Sequence, residues 1–361
     1  MSGGVTQLLA VGAQDVYLTN DPEVSFFRSN YKRYTHFSQS VERQTIQTNP
    51  NPGSMSTVRI ERKGDLLGYT YLTATSTATT LITNIDWSQA IDKIELYIGG
   101  QLIDTQDSTF NYLIAPVTMS ETYNKRFHGT TATYTTANNT FYPLKFFFCS
   151  DFQSTIPLIG IPFSDIELRI YWGSTMTNTY QYDIWSDFMY LDGPERDYFQ
   201  NSSGPLDVLM WQVQRQLIPT SSTAELSFNQ PIKFLAANVL AYTSGTQQLK
   251  TQINGTDISI FKGLPHYVDV PQYYHTHYGI NNPGAVGGAA QPPNVLIIPY
   301  CLDTTKLQPT GTVNFSRIDS FRIVSPIALG GGIFPAGSYM YGVNYNVLRV
   351  MNGMASLLYA N

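Results

Sequence analysis

The chain reads as an all-β protein built in two halves of similar size. Three observations carry that reading. Apolar residues recur mostly at every second position in short runs. The 27 glycines and 20 prolines punctuate those runs at close intervals. Helical spacing of apolar residues is scarce. Many short strands with Gly- and Pro-bearing turns and almost no long helix describe sandwiches or barrels.

Near the N-terminus, Val5, Leu8 and Leu9 share one face of a short helix that Gly12 interrupts. Strands follow at residues 58–62 and 69–73. The run Ile94-Glu-Leu-Tyr-Ile98 alternates, Gly99-Gly100 supplies a two-residue turn, and Gln101-Leu-Ile-Asp104 returns, which predicts a hairpin. Further strands are expected at residues 166–171, 232–240, 314–323 and 339–350. In the last of these, Tyr341, Val343, Tyr345 and Val347 share a face while Leu348 and Val350 take the opposite phase, so a bulge is expected between them. The polar stretch Gln200-Asn-Ser-Ser-Gly-Pro205 marks a boundary between the halves. Residues 279–293, rich in Gly, Ala and Pro, form an exposed loop too long for a hairpin turn.

Composition narrows the function. The 361 residues are 42% hydrophobic, which is enough for a large core, but only 13% charged, against roughly 25% in ordinary globular domains. Twenty-five tyrosines beside so few charges describe surfaces that become buried in contacts. A formal net charge of -5 argues against a nucleic-acid coat, which needs clustered Lys and Arg. Cys149 and Cys301 are too few and too far apart for a disulfide scaffold or a thiolate metal site. The first basic residue is Arg28, and no run of about 18 apolar residues occurs, so a soluble protein made without a secretory signal is expected.

No nucleotide-binding loop, nucleophile elbow, zinc-protease helix or EF-hand loop occurs. His275 and His277, with His266 and Asp269 near them, have a metal-ligand spacing if they lie on a strand, but in a Tyr-rich loop they read as surface or interface histidines. The glycines at 284–288 and 330–332 lack the strand-turn-helix context that aims amides at phosphate, and read as loops. Asp183, Asp187, Asp192, Glu195 and Asp197 could supply the acid and base of a glycosidase; the simpler reading is a solvated segment in which Arg196 pairs with Asp192. Residues 25–63 carry seven Lys or Arg against Glu42 and Glu61, and aromatic residues Phe26, Phe27, Tyr31 and Tyr34 interleave with Arg28, Lys32 and Arg33. A packed arm beside the first strand explains this better than base stacking. Glycosylation sequons stand at Asn138, Asn201, Asn254 and Asn314.

The strings Gly12-Ala-Gln-Asp-Val-Tyr-Leu-Thr19 and Ser25-Phe-Phe-Arg-Ser-Asn-Tyr-Lys-Arg-Tyr-Thr-His-Phe37 closely resemble the N-terminus of major capsid proteins of nucleocytoplasmic large DNA viruses, the algal-virus branch above all. The resemblance recurs in order at Arg62-Lys-Gly-Asp-Leu66, Ile94-Glu-Leu-Tyr-Ile-Gly-Gly100, Pro143-Leu-Lys-Phe-Phe-Phe148, Ile156-Pro-Leu-Ile-Gly-Ile-Pro162 and Tyr190-Leu-Asp-Gly-Pro-Glu-Arg196. It continues through Asn229-Gln-Pro-Ile-Lys233, Gln308-Pro-Thr-Gly-Thr-Val-Asn-Phe-Ser-Arg-Ile-Asp319 and Tyr341-Gly-Val-Asn-Tyr-Asn-Val-Leu-Arg-Val-Met351. It implies two tandem eight-stranded jelly-roll sandwiches, a double jelly roll, with a short N-terminal arm at 1–24 and jelly rolls at 25–204 and 205–361.

The resemblance also implies a non-enzymatic shell protein of a large icosahedral double-stranded DNA virus, without cofactor, metal or direct nucleic-acid binding. Its expected partners are two further copies in a pseudo-hexameric homotrimer, neighbouring capsomers, minor capsid and vertex proteins, and an internal membrane side. Its place is the virion capsid, after synthesis and assembly in the host cytoplasm. The arm, with Asp15, Tyr17, Phe26, Phe27, Arg28, Tyr31, Lys32 and Arg33, is expected at the inner face or an interface, and residues 279–293 at the outside. Two rivals remain at this point: a glycan-binding or glycan-cleaving jelly-roll protein, and a transient double jelly-roll scaffold. The chain is shorter than many members of the family, which admits a minor capsid paralogue.

Overall fold

Backbone pairing in the computed structural model sorts the strands into four antiparallel sheets; the structure describes residues 3–76, 85, 87–119, 141–201, 204–241, 245–276 and 294–359. The first half contributes β1 (Phe37–Gln44), β2 (Met55–Arg59), β3 (Leu66–Ser76), β4 (Ile91–Ile98), β5 (Gln101–Asp107), β6 (Phe141–Pro143), β7 (Ile156–Pro157), β8 (Ile166–Trp172) and β9 (Tyr180–Leu191). The second contributes β10 (Leu206–Leu217), β11 (Thr223–Leu226), β12 (Pro231–Asn238), β13 (Gln248–Ile253), β14 (Thr256–Asp257), β15 (Lys262–Gly263), β16 (Val295–Pro299), β17 (Val313–Asn314), β18 (Phe321–Val324), β19 (Tyr339–Met351) and β20 (Met354–Leu357).

In the first half one sheet runs β1-β9-β3-β6 and the other β2-β8-β4-β5. In the second half the orders are β10-β19-β12-β16 and β11-β18-β13-β14. The two orders are the same: the first strand of each half lies beside its last long strand, and the second beside the one before that. Such chain crossing between facing sheets is the jelly-roll connection, and here it occurs twice.

Alternation places the cores. Along β8 the pattern of buried and half-buried residues is strict, with Ile166, Leu168, Ile170 and Trp172 turned inward. The hairpin between β4 and β5 forms where the sequence predicts it. Gly99 and Gly100 turn with φ of +57° and +82°, a geometry that costs L-residues and not glycine. Two Asn-Gly turns repeat the device. Asn254-Gly255 joins β13 to β14, and Asn352-Gly353 joins β19 to β20.

The structure corrects four expectations. First, β10 and β19 pair without interruption from Leu206↔Val350 to Leu217↔Tyr339, so no bulge divides Val347 from Leu348 in that ladder. The register shift lies in β12 instead, between Ile232 and Phe234. Two-sided burial of β19 explains the misleading phase: Met340 enters the core of the second jelly roll, while Tyr341, Val343 and Tyr345 belong to a core shared with the first. Second, the strand expected over 314–323 is two short pairings separated by a 3₁₀ turn at Phe315–Arg317. Asn314 caps that turn by accepting from the Ser316 N–H, and the buried Phe315 ring packs 5.0 Å from Phe321. Third, residues after Asp192 form a helix, Gly193–Asn201, with Pro194 in its first turn where a missing N–H costs nothing. Fourth, Pro265–His275 is a helix and not a Tyr-rich strand or loop.

Residues 3–36 constitute a separate unit from Phe37–Asn361. It holds helices Gly3–Leu9 and Ala13–Thr19, the first of them where Val5, Leu8 and Leu9 predict it, and no residue of either is buried.

Candidate functional site

Within the larger unit, the two jelly rolls meet along a continuous buried seam. The outer face of the β10-β19-β12-β16 sheet supplies Trp211, Phe234, Ala236, Val295, Ile297 and Tyr341 to the same apolar cluster as Phe110 and Ile114 of the first half. Phe110 is central, with its ring 5.8 Å from Tyr341 and 6.4 Å from Trp211.

Carboxylates at the edge of this seam accept hydrogen bonds from both halves. Asp107, at the end of β5, accepts at 2.7 Å from both the Arg215 guanidinium and the Tyr341 hydroxyl, while its other oxygen accepts from the Phe110 N–H at 2.8 Å. Burial, then the Asp107 charge, pushes the Tyr341 hydroxyl far above the ordinary tyrosine range. Asp104 is wholly buried and accepts from the Val213 N–H, the Thr105 N–H and Gln106 Nε2, each at 2.9 Å. Desolvation pushes its carboxyl up to about 7, and those three donors oppose the rise. Gln212 donates from Nε2 to the Ile103 carbonyl, again from one half to the other.

A second tie lies at the C-terminal hairpin. The Phe163 N–H donates to the Gly353 carbonyl, the Ala355 N–H to Ser164 Oγ, and the Leu357 N–H to Gln101 Oε1. Gly353 has φ of +76°, and a Cβ there would fall 2.6 Å from the Phe163 ring.

The carboxylates of residues 183–197 do not converge on a catalytic cleft. Asp183 pairs with Arg43. Asp187 is fully buried on the same strand, four residues away, which at about 3.3 Å per residue is near 13 Å, beyond the spacing of either class of glycosidase. Burial raises its pKa. Asp192 caps the Gly193 N–H, and Glu195 and Asp197 are on the following helix. Arg196 pairs with Asp65 at 3.4 Å, not with the Asp192 side chain.

His275 ends a helix and lies 2.9 Å through Nδ1 from the Cys301 carbonyl, while His266 Nε2 meets Lys262 Nζ at 3.0 Å. Among the described residues no three His, Cys, Asp or Glu side chains gather as metal ligands. The glycines after Leu329 close a turn in which the Gly331 N–H donates to the Phe334 carbonyl. His277, the glycines at 284–288 and the loop 279–293 lie outside the described residues.

The arm residues Asp15, Tyr17, Phe26, Phe27, Arg28, Tyr31, Lys32 and Arg33 are all exposed. Tyr17, Phe26 and Phe27 are each more than nine-tenths accessible, an unusual state for aromatic rings. Asp15 accepts from the Gly12 N–H and fixes the start of its helix. Among the sequons, Asn254 and Asn314 are exposed, and both use Oδ1 locally, Asn254 accepting from the Asp319 and Ser320 N–H groups. Asn201 ends its helix, and Asn138 lies outside the described residues.

The ties between the halves were missed in the sequence. Asp104, Asp107 and Gln212 stand in ordinary strand positions, and only the pairing of the halves gives them partners. The Asn-Gly dipeptides at 254 and 352 were a usable hairpin signal.

Two jelly rolls of one strand order, locked by a polar-edged seam, have known counterparts. The family model for the major capsid protein N-terminus matches residues 25–195. The chain is 30% identical to the major capsid protein of Pyramimonas orientalis virus, with both chains covered end to end. The chain belongs to the major capsid protein family of large DNA viruses. The family member from Paramecium bursaria Chlorella virus 1 is 28% identical, again over both full lengths. The quasi-atomic model of that virus's capsid superposes with a TM-score of 0.73 at 25% identity, covering 93% of this chain and all of that one. The chain is therefore a structural, non-enzymatic double jelly-roll protein of a virion capsid, and it assembles with other capsid proteins in the shell. That family assignment displaces the glycan-cleaving alternative, as does the separation of Asp183 from Asp187.

Proposed function

We propose that the chain works as a homotrimeric, pseudo-hexameric capsomer whose copies tile an icosahedral shell. The observation that carries this is the side-by-side fixing of two sandwiches with one strand order. Three such chains present six similar blocks, so a threefold object acquires a near-hexagonal outline and packs as a hexagonal tile. Neighbouring capsomers, minor capsid proteins and vertex proteins are the further partners, and host cytoplasm is the place of synthesis and assembly. The arm, taken as residues 1–24 and continued by the basic run to Arg33, faces the inner side or its membrane, with jelly rolls over 25–204 and 205–361. Exposed apolar side chains interleaved with Arg28, Lys32 and Arg33 support that role.

Light scattering coupled to size exclusion tests the reading. A single species of three times 40.4 kDa, triangular or hexagonal in negative stain, is expected. A folded monomer at micromolar concentration refutes it, since obligate interfaces bury upward of roughly 2,000 Å².

A further inference from the structure

The seam inside each chain has a defined donor and a defined receiver. The donor is the connection that follows β5 in the first jelly roll, where the helical segments Phe110–Ile114 and Ala115–Thr118 carry Phe110. The receiver is the outer face of the β10-β19-β12-β16 sheet in the second. Because both halves share one strand order, each also owns the element it does not use in that seam.

The unused receiver is the outer face of the β1-β9-β3-β6 sheet. Its inner face points Leu72, Ile184 and Phe188 into the core. Its outer face presents Val41, Trp185, Tyr69 and Tyr71, with Val41 and Tyr69 exposed and the other two half-buried. The buried Asp187 sits on this face, opposite Val41, with one carboxylate oxygen lacking any protein donor. Tyr69, Tyr71, Phe141 and Pro143 line a groove of about 470 Å³ there. The corresponding face of the second jelly roll is covered by protein.

The unused donor is the connection that follows β15 in the second jelly roll, the helix Pro265–His275. Tyr267, Val268 and Pro271 anchor it to its own half. Val270, Tyr273 and Tyr274 project outward, 42%, 69% and 72% exposed. An apolar, aromatic donor and an apolar, aromatic receiver are thus both left uncovered on one chain.

We infer that the exposed face of helix Pro265–His275 seats on the outer face of the β1-β9-β3-β6 sheet of a second copy, repeating between chains the seam each chain makes within itself. The contact is heterologous, head to tail, so it propagates in one rotational sense and closes when the third copy meets the first. The inference rests on the trimeric reading and adds which surfaces meet.

Sizing of the full chain and two variants tests it. Wild type should run as a trimer; if it is monomeric, the trimeric reading itself fails. Given a wild-type trimer, Tyr274→Glu and Tyr69→Glu should each yield folded monomer, with unchanged far-ultraviolet dichroism because both side chains are exposed. An equimolar mixture should give dimers that cannot close, since it holds one intact donor and one intact receiver. A trimer persisting in either variant overturns the placement. Should either variant misfold, the double variant Tyr69→Cys, Tyr274→Cys supplies the answer: a short bismaleimide should link its chains into dimers and trimers on denaturing gels. Cys149 and Cys301 are buried, but Cys149 lines the same groove, so wild-type chain treated alongside must give no ladder; folded trimers of the double variant that give no ladder also overturn it.

Discussion

Replacing Asp107 by alanine tests whether the polar edge of the seam holds the two jelly rolls together. The carboxylate serves three donors: Arg215 and Tyr341 from the second half and the Phe110 N–H from its own. Hydrogen bonds to a charged group contribute about 1.5–3 kcal/mol each. Arg215 is about a third exposed, so water screens and partly replaces its bond, leaving about 1 kcal/mol. The Tyr341 hydroxyl is buried and has the larger stake, about 1.5 kcal/mol, with roughly 1 kcal/mol more for the Phe110 N–H. Asp107→Ala should therefore cost about 3.5 kcal/mol, and Asp107→Asn, which keeps an acceptor without the charge, about half of that. Tyr341→Phe should cost about 1.5 kcal/mol and couple to Asp107→Ala by about 1 kcal/mol in a double-mutant cycle. Urea unfolding followed by Trp fluorescence reads this directly, because Trp211 lies in the seam beside Phe110. One fixed protein concentration is needed, since self-association adds to apparent stability. An Asp107→Ala cost below 0.5 kcal/mol on the order-of-magnitude scale of surface pairs, or a strictly additive cycle, refutes the reasoning.

Three further outcomes are expected. Asp104 ties the seam to pH: with its folded-state pKa raised to about 7 from an ordinary value near 3.9, the folded chain retains a proton the unfolded chain has lost across that window. Its contribution to stability is therefore present below the window, declines as pH rises through it, and levels off above 7; Asp104→Asn should flatten that decline in urea midpoints, and an unchanged slope would sink the assignment. Gly353→Ala should destabilise by about 1 kcal/mol more than Gly100→Ala, because both impose a positive φ but only the former drives a Cβ into the Phe163 ring, which is exposed enough to yield in part; equal melting of the two variants would contradict this. Combined reversal of Arg28, Lys32 and Arg33 to Glu should leave capsomers intact and lower the yield of closed shells in particle counts, with unchanged yield counting against an inner-face role for the arm.

Fold class and the two-part plan were legible because they rest on local rules: period-two alternation, as in β8, and turn chemistry, as at Gly99-Gly100. Legibility failed where a strand is covered twice. β19 is buried on both faces, with Asn344 and Asn346 buried on one of them, so alternation does not give its orientation and suggests a bulge that the β10 ladder does not contain. It failed again where tertiary packing overrides pattern, as when burial of Phe315 folds an apparent strand into a turn. The helix Pro265–His275 was unreadable for another reason: its internal Pro271 and paired tyrosines carry low helical propensity, and packing of Tyr267 and Val268 supplies what propensity lacks. The site was the least visible part. Asp104 and Asp107 have no motif, since a seam is recognised by what faces a residue and not by its neighbours in sequence.

The seam also answers how two sandwiches lie edge to edge without fusing. β5 ends one sheet and β10 ends another, and both are edge strands brought together within one chain. Bare edges in that position would pair through their backbones, and pairing of that kind does not stop at two strands. Here Asp104 takes the Val213 N–H with a side chain, and Gln212 takes the Ile103 carbonyl with another, so each edge is satisfied without a ladder. The arrangement is also specific in register. Alternate N–H groups of β10 point into the β19 ladder, so sliding β10 by one residue would offer Asp104 an amide already in use and leave a buried carboxylate short of a donor. The apolar part of the seam tolerates such a slip far better, since hydrophobic contact has little direction. Burial of Phe110 and Trp211 therefore supplies the adhesion, and the carboxylates fix the angle and offset at which one block stands beside the next. For a tile that must meet its neighbours at the same angle throughout a shell, that offset is the functional quantity.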